Sequence, residues 1–122
     1  MGYELTSPFA YGHDLPWEVV APGLKRQILS YDADIMVVRV LFEAGGVGAV
    51  HQHRHTQASY VASGVFDVTI SGETRRLQAG DSFLASPYAW HGVVCLEAGE
   101  LVDVFTPMRE DFVPGPTAGQ RQ

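Results

Sequence analysis

Cysteine occurs once in the 122 residues, and Lys and Arg together only eight times, against fourteen acids. A single thiol cannot close an internal disulfide, and it excludes the thiolate-rich shell in which a structural zinc is commonly held. It fits a reducing compartment, and a cytoplasmic location is the expectation. The net charge of −6 argues against nucleic-acid or anionic-membrane partners, because both reward clustered Lys and Arg. No apolar stretch approaches the roughly 20 residues needed to cross a bilayer. The opening MGYELTSPFAYGHDLPWEVV has no basic segment followed by an apolar run, so no secretory leader is expected. Helical periodicity is missing as well, and so is any internal repeat.

What the chain does have is apolar content, 46%, with only 18% charged residues, the composition of one folded domain with a single core. Residues 1–21 read as an N-terminal arm, partly strand, 22–112 as a β-barrel and 113–122 as a flexible tail. The arm is rich in turn formers (Ser7, Pro8, Gly12, Pro16) and closes with a short strand, Trp17 to Val20. Leu24 to Ser30 is a second strand. Asp34 to Glu43 is a third, apolar on both faces except at Arg39 and therefore central. Arg39 reads as an edge or subunit contact, with an anion contact inside the barrel as the alternative. Gln57 to Ser63 precedes a bend or bulge at Gly64, and Val65 to Ile70 pairs with Thr74 to Leu77 through a turn at Ser71-Gly72-Glu73. Ser82 to Ala85 leads to a break at Pro87, and His91 to Leu96 and Gly99 to Thr106 are expected to form a last hairpin. Short strands at this spacing indicate an all-β antiparallel sandwich or barrel.

The stretch GGVGAVHQHRHTQASYVASG, Gly45 to Gly64, holds the densest chemistry. In an extended strand His51 and His53 share a face, about 6.7 Å apart, and two imidazoles so placed can lean onto one ion. Gln57 has the same parity, but a straight strand would carry it roughly 20 Å from His51, so it joins only if the chain bends after His53. His91 lies forty residues beyond His51, past the Ser86-Pro87 break. Three imidazoles and one amide oxygen make an uncharged ligand set suited to one divalent transition metal, Zn, Ni, Fe or Mn. His55 would sit on the bend, facing solvent or standing behind the ligands, and His13 reads as a surface residue. With no carboxylate among the four, about two positive charges remain to attract an anionic small molecule, which favours Lewis-acid work over a structural role.

These residues resemble the first motif of the cupin family, with Gln57 where many cupins carry glutamate. Gly80-Asp81 followed by Ser86-Pro87-Tyr88-Ala89-Trp90-His91 is similar to the second motif. It departs at Ser86 (usually proline), Tyr88 (usually glycine or asparagine) and Cys95 (usually asparagine). The fold this resemblance implies is a cupin barrel, a double-stranded β-helix or jelly roll. It says little about the reaction, because the fold hosts many chemistries.

On the last strand Asp103 and Phe105 share one face, and Val102 and Val104 the other. Either face could look inward. In the first case a carboxylate enters an apolar cavity beside the metal, and in the second it is merely solvated. Arg109, next to Glu110 and Asp111, could likewise reach a ligand or only pair at the surface. Cys95 reads as a small buried thiol that could also line the pocket. Tyr60, Tyr88 and Trp90 belong to its mouth or to the core and a dimer surface, the latter being favoured for Trp90.

A narrower resemblance covers CLEAGELVDVFTPMREDF, Cys95 to Phe112, and PGLKRQILSYD, Pro22 to Asp32. Both are similar to the pectin- and alginate-degradation cupins that linearise 4,5-unsaturated monouronates. That resemblance implies metal ligands at His51, His53, Gln57 and His91, and a part in turnover for Asp103, Phe105 and Arg109. Asp103 would shuttle a proton between the anomeric hydroxyl and C4, Arg109 would grip the carboxylate bidentately and Phe105 would pack on the sugar. The implied partner is a small acidic sugar, and a homodimer is expected by analogy, the apolar arm residues Phe9, Tyr11, Leu15 and Trp17 supplying the contact. Two other functions fit the same motifs: a cupin dioxygenase acting on a small organic substrate, and a non-catalytic sugar-acid-binding cupin.

Overall fold

The structure is a computed structural model that describes residues 7–113. After a single 3₁₀ turn at Gly12–Asp14, eight strands account for most of it: β1 Glu18–Ala21, β2 Leu24–Tyr31, β3 Met36–Phe42, β4 Val47–His51, β5 Thr56–Ile70, β6 Glu73–Gln78, β7 Ser82–Ala85 and β8 His91–Thr106. All pairings are antiparallel, in the order β1-β2-β3-β8-β5-β6, with β4 on β8 and β7 on β5. Residues 114–122, most of the expected tail, lie outside the described residues, as do residues 1–6 of the arm.

The two longest strands organise the rest. β5 and β8 pair along their whole length, Thr56 opposite Thr106 at one end and Ile70 opposite His91 at the other. One half of this ribbon carries β3 and β7, the other β4 and β6. Side chains from both halves then meet in one core, where Met36, Val38, Phe42, Val61, Phe66, Val68, Val93 and Leu101 are all buried. Phe42 and Phe66 pack edge to face there, centroids 5.1 Å apart.

The ribbon folds over at two glycines. Gly64 has φ +88°, and a Cβ added at Gly99 would lie 2.1 Å from the Ser63 carbonyl oxygen. Only residues without a side chain let the two backbones cross this closely. The register shifts on both sides of Ser63–Val65, and the shift changes which side chains face inward in β5, from odd positions (57, 59, 61) to even ones (66, 68). The bulge expected at Gly64 is therefore found, whereas the expected last hairpin is not. Gln57–Ser63 and Val65–Ile70 are one bulged strand, and the hairpin expected at Glu97-Ala98-Gly99 is the bend of an unbroken β8. Turn-forming residues mark both places, but here they serve a fold-over of paired strands instead of a reversal.

β3 alternates buried and half-buried along its length, as a central strand with one covered face does. Arg39 is on its outer face, neither at an edge nor inside the barrel. It donates to both Glu100 carboxylate oxygens (2.6 and 3.1 Å) and to Gln27 Oε1 (3.1 Å), and lies over the Trp17 ring. Gln27, wholly buried, donates to the Gly12 and Leu15 carbonyls, so the arm is tied to the outside of β2 and β3. Among the described residues no helix is long and apolar enough to cross a membrane.

Candidate metal centre and cavity

His51 closes β4 opposite His91, the first residue of β8. His53 lies just outside β4, in the connection to β5, so the two histidines of the His-x-His pair are brought together by a bend and not by one straight strand. The Tyr88 N–H donates to the His53 carbonyl at 2.7 Å and ties that connection to the Ser86–Ala89 turn. Tyr88 pays for this with φ +64°, a left-handed conformation that explains why glycine or asparagine is usual at this place in the motif. Gln57 enters from β5, buried.

The ring nitrogens of His51, His53 and His91 lie within 4.8 Å of one another. Each Nδ1 rests on a backbone carbonyl, of Ala49 (2.8 Å), His55 (3.0 Å) and Ala89 (2.8 Å) respectively. A carbonyl only accepts, so Nδ1 carries the proton and Nε2 presents a lone pair. Gln57 Nε2 donates to Ser59 Oγ at 2.9 Å, which turns Oε1 toward the histidines, 3.1 Å from His53 Nε2 and 3.2 Å from His91 Nε2. Protonation does not relieve this meeting of acceptors near neutral pH. Burial, helped by the charge of Arg109, holds the His53 pKa down to about 4, and burial lowers that of His91. Lone pairs converging at this distance with no hydrogen among them are what a cation satisfies, so the donor set fits the expected metal.

Next to the quartet, β8 turns Asp103 and Phe105 inward and Val102 and Val104 outward. Asp103 is 8% exposed and accepts from Ser59 Oγ at 2.6 Å. Burial raises its pKa to about 6, against the hydrogen bond from Ser59 and the charge of Arg109. Gln57, Ser59 and Asp103 thus form a chain in which the amide donates to the hydroxyl and the hydroxyl to the carboxylate. Glutamate at position 57 would lack the donor that starts it. A cavity of about 460 Å³ opens over these groups, lined among others by His51, Gln57, His91, Asp103, Phe105 and Arg109.

Arg109 pairs with a neighbouring carboxylate, but not at the surface. It is buried on the cavity wall, yet its Nε and Nη2 already grip Asp111 at 3.0 and 2.8 Å. The bidentate edge assigned to the substrate carboxylate is therefore taken. Its Cζ lies 5.0 Å from the Phe105 ring centroid and 4.2 Å from that of Phe112. His55 is not at the solvent but 5% exposed; its carbonyl accepts from His53 Nδ1 and so orients that ring, and its own Nε2 bonds Glu110 at 2.8 Å. Desolvation of Glu110 is outweighed by hydrogen bonds from Arg54, its own backbone and His55, which hold its pKa to about 2. His55, Glu110 and Asp111 also cluster, but both carboxylates are committed to arginines. Cys95 is buried in the core and away from the cavity lining, bonding the Glu97 carbonyl, while Tyr60, Tyr88 and Trp90 are exposed, as is His13.

Three residues of the site were not singled out from the sequence. Ser59 shares the parity of Gln57 two positions earlier, a signal that was there to be read. Arg26 and Phe112 carried none, since a basic residue in LKRQILSY and an aromatic beyond the last strand look like surface.

Known proteins confirm where the fold belongs. The cupin-domain family profile matches residues 38–105, from the middle of β3 to Phe105. The chain belongs to the cupin family. This cupin is 45% identical over 102 residues to the pectin degradation protein KdgF of Dickeya dadantii (strain 3937), covering 82% of this chain and 93% of that one. Among solved structures, an RmlC-like cupin from Shewanella frigidimarina NCIMB 400 superposes with a TM-score of 0.88 at 43% identity, covering 91% of this cupin and all of that chain. KdgF from Halomonas sp. superposes with a TM-score of 0.83 at 44% identity, covering 88% of this cupin and all of that chain.

Proposed function

We propose that this cupin is a metal-dependent isomerase that opens the ring of 4,5-unsaturated monouronates to linear keto sugar acids. The observation that carries the proposal is a protonatable carboxylate, Asp103, sharing one cavity with a converging His/Gln donor set. The likeness to pectin degradation proteins supplies the substrate class. His51, His53, Gln57 and His91 would hold one divalent ion, and bound there it would supply Lewis-acid polarisation of a substrate oxygen.

The chain's own groups do the rest. Asp103, ionised, takes the proton of the anomeric hydroxyl; as the C1 carbonyl forms, the bond from C1 to the ring oxygen breaks and its electrons leave an enolate over C4, C5 and that oxygen. The proton held on Asp103 then passes to C4, the C5 carbonyl forms, and the carboxylate is regenerated with no net change in atoms or electrons. A pKa of about 6 suits a group that must both accept and return a proton near neutrality. Ser59 holds the carboxylate in place, Arg109 puts positive charge where the enolate develops and Phe105 packs against the sugar.

Metal-loaded protein added to an unsaturated monouronate should bleach the ultraviolet absorbance of its C4=C5 bond without consuming oxygen. Asp103→Asn should slow the bleaching by about 100-fold or more. Oxygen uptake coupled to turnover points instead to a dioxygenase, binding without bleaching to a sugar-acid receptor, and undiminished bleaching in the variant removes Asp103 from the mechanism.

A further inference from the structure

A monouronate has two ends to hold, and the metal centre accounts for one. The carboxylate at the other needs a cation with hydrogen-bond donors to spare. Arg109 does not offer its preferred edge, because Nε and Nη2 are both on Asp111. The cavity wall carries a second guanidinium, on β2. Arg26 pairs with Val40 of β3 and shares its inward parity with Leu24 and Ile28, so it points into the barrel while its neighbours Lys25 and Gln27 point out. Its side chain is 17% exposed and lines the same cavity as Asp103 and His91. Its Nε donates to Glu18 at 2.9 Å, and among the described residues Nη1 and Nη2 have no acceptor.

We propose that Arg26 anchors the substrate carboxylate, through the open edge formed by Nη1 and Nη2. This rests on the monouronate reading above and divides the arginines between two tasks. Arg26 binds and orients, and Arg109 supplies charge beside Asp103. Phe112 supports both. The Arg26 Cζ lies 3.7 Å from its ring centroid and the Arg109 Cζ 4.2 Å, so the planar guanidinium is stacked and its donors are held in the plane a carboxylate needs. Phe112 itself meets Phe105 edge to face at 5.5 Å, which links the anchor to the residue packed on the sugar. A carboxylate on Arg26 leaves Glu18, 57% exposed at the rim, free to keep Nε. A lysine would supply the charge but neither the fork nor the stack.

The test pairs a change in the enzyme with a change in the ligand. Wild type should turn over the unsaturated monouronate about 30- to 100-fold better in kcat/KM than its methyl ester, mostly through KM, as expected for a charge-assisted pair made in the ground state. In Arg26→Gln the two substrates should differ by no more than about threefold. Arg26→Lys, which guards against misfolding of the first variant, should keep a preference for the carboxylate but a smaller one than wild type. A wild-type ratio in either variant overturns the proposal. Calorimetry with galacturonate against galactose decides it without turnover: wild type should prefer the acid and Arg26→Gln should not, whereas Arg109→Gln should retain the preference. Equal affinity of wild type for both sugars, or a preference lost in Arg109→Gln and kept in Arg26→Gln, also overturns it. Wild type that distinguishes the two sugars through Arg26 yet never bleaches the unsaturated bond refutes the proposed reaction and leaves the anchor standing.

Discussion

Ionised Asp103, the form that the proposed reaction needs, makes the protein less stable. An unfolded aspartate titrates near about 3.9, whereas burial brings the folded carboxyl to about 6. A carboxyl whose pKa is raised on folding contributes its stability below the unfolded value and loses it as pH rises through the folded one. Metal-free protein should therefore lose about 3 kcal/mol on account of Asp103 between roughly pH 4 and 6. Asp103→Asn should remove that contribution, leaving the variant more stable than wild type at pH 7 although about 100-fold or more slower; urea titrations across the pH range would show it. Glu110 works in the opposite sense and a lower window, its depressed pKa withdrawing stability only as pH falls toward about 2. The lowered pKa values of His53 and His91 add a slope of opposite sign that remains in both proteins, so the difference between wild type and variant isolates Asp103, and an identical pH dependence of the two would place the titration elsewhere. In this apolar pocket the proposed proton carrier is kept at the expense of the fold.

Elements meet at the fold-over of β5 and β8, where Gly64 and Gly99 face one another. Gly99→Ala would drive a Cβ into the Ser63 carbonyl, and neither backbone can move without breaking the ladder on both sides. The expected loss is about 3 kcal/mol, the upper range for overpacking, measurable as a lower urea midpoint. Gly72→Ala is the comparison: nothing lies within 4 Å of its Cβ, although its φ of +85° carries some strain of its own. A smaller effect at Gly99 than at Gly72 would show that the crossing is looser than the structure has it. Cys95 and Leu101 lie on either side of this bend and both face inward, so a perturbation here also reaches the strand that carries Asp103 and Phe105.

At the level of the whole molecule, the proposed ion would join the end of β4, the start of β8, β5 and the loop before it. A ligand held only by the folded state stabilises it by mass action, by about 4 kcal/mol at a thousandfold excess over its Kd. Chelation should accordingly lower Tm by about 15 °C or more for a domain of this size, and restoring Zn, Ni, Fe or Mn should recover it to different extents. His91→Ala should abolish the metal response while retaining the far-ultraviolet circular dichroism of the β fold. A melting temperature indifferent to chelation in metal-loaded wild type would argue that the quartet does not close on an ion.

How much of this could be read from residue order follows from the range of each interaction. Strand content and the candidates His51, His53, Gln57 and His91 were legible because alternation, turn residues and motif spacing are local quantities. So was the pairing of Asp103 with Phe105 on one face, since period two needs nothing beyond the strand itself. Which face looked inward was not. It depended on the bulge that switches β5 from odd to even positions and on β3 lying against β8, contacts between residues dozens of positions apart. The same holds for Arg109, whose fork is taken by Asp111, and for Arg26, which reads as surface until β2 is laid against β3 and Phe112 folds back over it. Sequence alone determined the donor types, through the chemistry each side chain carries wherever it sits. Only the tertiary structure decided which of them share a cavity, because burial, charge and the direction of a side chain belong to the neighbours that the fold supplies.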